Sequence, residues 1–217
     1  NEWENFLLTQ KNTLFVQSYH YGEFYRTMGE EYWIFGIYDE GKLVGGSLVV
    51  STHAKRGNFL YLPYGPILPE KNKAEALNLI TKYLSDFAGR VGDYAFIRGS
   101  PFMENTEENK KIFKANSYLA APMHVLAETT WLLGLSPSEE QLLYNMGKNH
   151  RNLIKRCLKD RVKIVKTADP LELDNFYKIY NETAKRHKFH KFSESYIKNE
   201  FKAFAANKEA LLYLGYL

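Results

Sequence analysis

The chain has 217 residues and 25.3 kDa, with 45% hydrophobic, 15% aromatic and 25% charged residues. That balance belongs to a folded globular protein, not a disordered one, and about 150 residues per domain makes it one large domain or two small ones. No run approaches the ~18 apolar residues of a membrane span, no basic-then-apolar leader opens the chain, and the lone Cys157 excludes an intrachain disulfide or a multi-cysteine metal cluster. A reducing compartment, the cytoplasm, is the expectation. The chain begins at Asn1 and stops on Tyr213-Leu214-Gly215-Tyr216-Leu217, an apolar strand pattern, which reads as a fragment.

Tyr21, Phe24, Tyr25 and Met28 recur at helical spacing before Gly29, which predicts a short helix. Residues Tyr32–Tyr38 and Lys42–Val50 read as strands joined by the Asp39-Glu40-Gly41 turn, a hairpin. A third strand, Asn58–Leu62, is stopped by Pro63-Tyr64-Gly65-Pro66. Ala76, Leu77, Ile80, Tyr83, Leu84 and Phe87 predict an amphipathic helix over Lys73–Ala88. A strand over Tyr94–Arg98, a helix over Glu107–Asn116 and a strand over Glu128–Leu135 follow. The order is that of an α+β, mixed-sheet protein.

A second long helix is expected to open at Ser136-Pro137-Ser138-Glu139, with Ser136 as cap, Pro137 at the first position and Glu139 closing a capping box. Along it Leu143, Met146, His150, Leu153, Ile154 and Cys157 form an apolar stripe, so Cys157 is expected buried. A strand over Val162–Val165, helices over Leu171–Arg186 and Ser193–Ala206, and a strand over Leu211–Leu217 complete the chain. The expected division is 1–135 and 136–217.

The net charge of +4 is unevenly placed. Between Met146 and Lys166 stand eight cations (Lys148, Arg151, Lys155, Arg156, Lys159, Arg161, Lys163, Lys166) against Asp160 alone, a local +7 that leaves the rest at −3. Such a stripe suits a phosphate or an RNA backbone, and it equally suits a solvated helix face. Phosphate-binding Gly-x-x-x-x-Gly-Lys-Ser/Thr and Gly-x-Gly-x-x-Gly loops are absent, as is a Gly-x-Ser-x-Gly elbow. His187 and His190 lack a third metal ligand and read as surface residues.

Several segments, in order, resemble the Fem family of peptidoglycan interpeptide-bridge aminoacyltransferases. They are Gln17-Ser18 with Tyr21-Gly22-Glu23-Phe24, then Leu43-Val44-Gly45-Gly46-Ser47, then Tyr61-Leu62-Pro63-Tyr64-Gly65-Pro66, and Glu128-Thr129-Thr130-Trp131. The longest runs from Leu142 through Met146-Gly147-Lys148-Asn149-His150-Arg151 to Lys155, followed by Phe176-Tyr177 and Glu182-Thr183-Ala184-Lys185-Arg186. The resemblance implies tandem acetyltransferase-like (GNAT) domains, the second incomplete. It also implies transfer of an amino acid from aminoacyl-tRNA to the stem-peptide amine of a nucleotide- or lipid-linked muropeptide precursor. No metal and no bound cofactor are implied; peripheral contact with the inner membrane surface is compatible with a lipid-linked acceptor.

By the same resemblance Arg151, with Lys148 and Lys155, is the expected phosphate-binding group, because a guanidinium grips phosphate through paired hydrogen bonds. Tyr25 stands where a family lysine binds precursor phosphate, with Arg26 beside it as substitute. Tyr61 and Tyr64 are expected to line the precursor cleft, with Tyr64 in place of the arginine of a Pro-Arg-Gly-Pro pattern. No residue of this chain is assigned the catalytic role, since the family's transition-state lysine is expected beyond Leu217. Two alternatives share these residues: a CoA-dependent N-acyltransferase, for which the pyrophosphate loop is missing, and a non-catalytic RNA-binding module using the basic helix.

Overall fold

A computed structural model describes residues 1–55, 57–127 and 129–217. The chain divides into two compact units, Asn1–Ala127 and Glu128–Leu217. Residues 129–135 therefore go with the second unit, whereas the sequence pattern grouped them with the first.

The first unit is built on a four-stranded mixed sheet in the order β1 (Tyr32–Asp39), β2 (Lys42–Thr52), β3 (Asn58–Leu62), β4 (Tyr94–Gly99). The first two pairings are antiparallel and the last parallel. Glu40 and Gly41 both take positive φ, +46° and +77°, the two-residue hairpin geometry whose twist matches the strands it joins. β3 and β4 run parallel because α3 (Lys73–Val91) crosses between them.

α3 packs Leu77, Ile80 and Leu84 against Ile37, Val49, Leu60 and Leu62. Each such side chain contributes about 1.5–3 kcal/mol on burial. Leu48, Val50 and Tyr61 alternate to the other face, where α1 (Glu2–Thr9) and α2 (Tyr19–Thr27) bring Trp3, Leu7, Tyr21 and Phe24, all buried. α1 has no counterpart in the sequence reading. α2 is capped by Ser18, whose Oγ accepts from Tyr21 N at 3.2 Å, and it ends at Gly29 with φ +89°. α4 (Glu107–Ala115), capped by Thr106, completes the unit.

The second unit is thinner. It holds α5 (Glu139–Asn145), α6 (Lys148–Lys159), β5 (Lys163–Thr167), α7 (Leu173–His187), α8 (Glu194–Ala205) and β6 (Leu212–Tyr216). β5 and β6 form an antiparallel pair, and the buried hydrophobics are Leu173, Tyr177, Ala184, Phe204 and Leu214. Among the described residues no helix is long and apolar enough to cross a membrane.

Four expectations are corrected here. The helix cap is Ser138, not Ser136, and its box partner is Gln141. The single long helix is two, because Met146 (φ −70°, ψ 149°) and Gly147 (φ −58°, ψ 145°) are extended, and Gly147, a poor helix former, is the N-cap of the next one. Cys157 is exposed, since among the described residues none buries the apolar side of α6. The strand expected from Glu128 to Leu135 does not form over 129–135, and Glu128 itself lies outside the described residues. Trp131 and Leu135 there are exposed, and β-prone residues without a pairing partner do not make a strand.

Candidate functional site

The site residues expected from the sequence fall into three groups, two in the first unit and one in the second. At the end of α2, Tyr25 is half-buried, its ring edge-on to Tyr21 at 5.2 Å and tilted on Phe24 at 5.1 Å. Arg26 is exposed and pairs with the Glu23 carboxylate, which also accepts from the Tyr32 hydroxyl. Partial burial pushes the Glu23 carboxyl up, but hydrogen bonds from Tyr32 and Tyr19 and the Arg26 charge outweigh it, so its pKa sits below the ordinary value. Tyr32 moves the other way: burial, then the hydrogen bond to Glu23, raises its hydroxyl. Tyr19, Arg26, Glu31, Tyr32, Trp33 and Ile34 line an open hollow of about 410 Å³ beside them.

The second group sits where β3 ends. Tyr61 is buried, 3% exposed, opposite Val50 in the β2 ladder, so its ring belongs to the core beneath α1 and α2. Tyr64, two residues past Leu62, is half-buried at φ +50°. Its ring meets Phe102 edge-on at 5.2 Å, and its hydroxyl is 3.5 Å from Ala127 O. The peptide bond between Gly65 and Pro66 is cis.

The third group lies on α6. Lys148, Lys155 and Lys159 follow one another at a helical repeat and are exposed; among the described residues none of them forms an ion pair. Arg156, off that stripe, is tied to Asp160 at 3.3 Å. Arg151 differs from its neighbours. It is half-buried and its Nη1 donates to Tyr144 O at 2.7 Å and to Met146 O. Those carbonyls end α5, so the guanidinium satisfies acceptors that the helix break leaves without an intrahelical partner. Arg151 thus fixes the elbow that sets the direction of the lysine stripe.

A FemAB family model matches residues 1–128 and again residues 119–217, which together take in the whole chain. The chain belongs to the FemAB family. By fold it is similar to the crystal structure of FemX, with a TM-score of 0.81 at 19% identity over 99% of this chain. The chain spans 55% of that FemX chain's length. A structure described as a probable acetyltransferase aligns over 50% of this chain and 71% of its own at 12% identity, with a TM-score of 0.34, too low to carry an argument. Among curated proteins none matches significantly by sequence.

Within this FemAB-family chain, sequence reasoning overlooked the roles of Glu23 and Tyr32. The signal was available in part: Glu23 stands three residues before Arg26 on one helix, the spacing that brings opposite charges together. Tyr32 lies on a different element, and nothing local announces its contact with Glu23.

Proposed function

We propose that this chain serves aminoacyl transfer in peptidoglycan interpeptide-bridge synthesis, from aminoacyl-tRNA to the stem-peptide amine of a nucleotide- or lipid-linked muropeptide. On this reading both units are acetyltransferase-like, the second being the opening part of its domain, and the reaction is cytoplasmic. The observation that carries the reading is the match of the FemAB family across both halves of the chain. The exposed stripe of Lys148, Lys155 and Lys159, set by an arginine-locked elbow, supports it, because a diphosphate-linked acceptor needs fixed cations.

In the reaction so proposed, the neutral stem amine attacks the ester carbonyl of the aminoacyl-tRNA. The new C–N bond forms as the ester C–O bond breaks, the amine proton passes to the departing ribose oxygen, and donors must meet the oxyanion that develops between. In the first unit Arg26 is the cation nearest the position of the family lysine, and Tyr25 supplies an aromatic wall. Tyr64 contributes a hydroxyl where the family pattern has a guanidinium, so this part of the cleft binds its ligand without a charge. Lys148 and Lys155 hold phosphate. Arg151 acts chiefly through the elbow, with its Nη1 already engaged.

Calorimetry with a nucleotide-linked muropeptide, acetyl-CoA and bare RNA tests the reading against its two alternatives. Binding of the muropeptide, with no heat from acetyl-CoA and only salt-sensitive binding of RNA, is the expected result. Saturable acetyl-CoA binding with none of the muropeptide would replace the proposal with CoA chemistry.

A further inference from the structure

Between β2 and β3 a side chain takes the place of backbone. The two strands pair at Thr52 and Phe59, Ser51 and Leu60, and Val50 and Tyr61. Pairing resumes where Gly46 and Ile67 exchange both backbone hydrogen bonds, at 2.9 and 2.8 Å. Three residues lie between Gly46 and Val50 and five between Tyr61 and Ile67, so the β3 side carries two more residues than its partner. Pro63-Tyr64-Gly65-Pro66 therefore bulges away from β2.

Gln17 fills the opening. Its carboxamide oxygen accepts from Leu48 N at 2.7 Å and its carboxamide nitrogen donates to Pro63 O, so one amide bridges both edges as a peptide unit would. The side chain is 0% exposed, 31 residues from one partner and 46 from the other. It is held from behind by the Trp3 indole N–H, which donates to Gln17 O at 2.7 Å. There is no spare room: a Cβ on Gly65 would lie 2.2 Å from Ser47 Oγ and 2.9 Å from Gln17 Nε2. On its other side the bulge is tied down by Ser100 N to Gly65 O at 3.1 Å and Phe102 N to Tyr64 O at 3.4 Å.

We infer that Gln17 is a positioning residue: its buried carboxamide, standing in for a peptide unit between β2 and the 63–66 bulge, fixes where Tyr64 is presented to the precursor. The inference rests on the proposed precursor site and adds to it a residue that touches no ligand. Glutamine meets the geometry at neutral pH, since the role needs a donor and an acceptor on one planar group at that reach. Asparagine is a methylene short, methionine has the length without the polarity, and an ionised glutamate accepts without donating.

The test uses the full chain and two variants. Gln17→Met should speed amide exchange at Leu48 and weaken binding of a nucleotide-linked muropeptide about tenfold, the scale of one lost buried hydrogen bond. In a Tyr64→Ala background the same substitution should change affinity less than about twofold, because residues acting through one group are not additive. Equal losses in both backgrounds, or no loss despite faster Leu48 exchange, would overturn the inference. Should Gln17→Met fail to fold, Gln17→Glu takes its place, weakened near pH 8 and recovering toward about pH 5, where the protonated carboxyl again donates and accepts. A flat pH profile relative to wild type overturns the inference equally. If the unaltered chain binds no muropeptide, the proposed function falls and the positioning claim is judged by the Tyr64–Phe102 ring contact in the NMR spectrum. That contact should be lost in either variant, and its retention would contradict the claim.

Discussion

In α3 the apolar positions Ala76, Leu77, Ile80, Leu84 and Ala88 are all buried between helix and sheet, whereas α6 repeats Leu153, Ile154, Cys157 and Leu158 at similar spacing and buries none of them. The two helices differ in what lies opposite. α3 meets Val49, Leu60 and Leu62, brought in from strands distant in sequence, while α6 follows a break in the helix and none of its residues is buried. Periodicity thus states which side a helix would bury, and only long-range packing decides whether it does. The polar sides diverge as well, since α6 directs along one face three lysines that form no ion pair among the described residues.

The largest effect that separates the two helices is a core truncation. Leu84→Ala should cost about 2–5 kcal/mol in urea unfolding, and Leu158→Ala less than about 0.5 kcal/mol. Leu84 is fully buried and Leu158 is 75% exposed. Comparable losses would mean that α6 is covered in solution.

How far the sequence foretold this contrast depends on how local each cause is. The β1–β2 hairpin, β3 and α3 were legible because turn chemistry and apolar period act within a few residues. The elbow at Met146-Gly147 was hidden inside an unbroken apolar period, and its lock, Arg151, is itself five and seven residues from the carbonyls it holds. Thr129-Thr130-Trp131 has the composition of a strand but pairs with no strand among the described residues. Of the site, the lysines and tyrosines were visible as types in motifs. The burial of Tyr61 and the bridging by Gln17 depend on contacts across the sheet, which a single sequence does not display.

At the elbow, Arg151→Ala should destabilise the second unit by about 1–2 kcal/mol, since two carbonyls lose a charged donor at a half-exposed site. Arg151→Lys should recover part, an ammonium being unable to reproduce the planar fork. Unfolding followed by a probe in α5 or α6 measures both. Ser138→Ala, which removes the capping box at the start of α5, should cost about 1 kcal/mol and reduce helical circular dichroism. A cap at Ser136 would instead make that position the sensitive one.

The smallest effect is acid sensitivity at the end of α2. Glu23 has a folded pKa below its ordinary value of 4.5, so its stabilisation is present above that value and is lost as pH falls through the folded one. Melting of wild type and Glu23→Gln at neutral pH and at about pH 3 should show a gap that closes on the acid side. A gap that widens there would reverse the assignment.

On the proposed function, the lysine stripe of α6 is a phosphate-binding face and not merely a solvated one. Titration of a nucleotide-linked muropeptide into the wild type and into Lys148→Ala, Lys155→Ala and Arg156→Ala tests it most directly, at two salt concentrations. Lys148→Ala and Lys155→Ala should each weaken binding about tenfold and lower its salt dependence, since each removes a charged hydrogen bond to phosphate. Arg156→Ala, which breaks only the contact with Asp160, should bind as the wild type does. Equal and negligible changes in all three variants would contradict the claim and return α6 to an exposed, solvated helix.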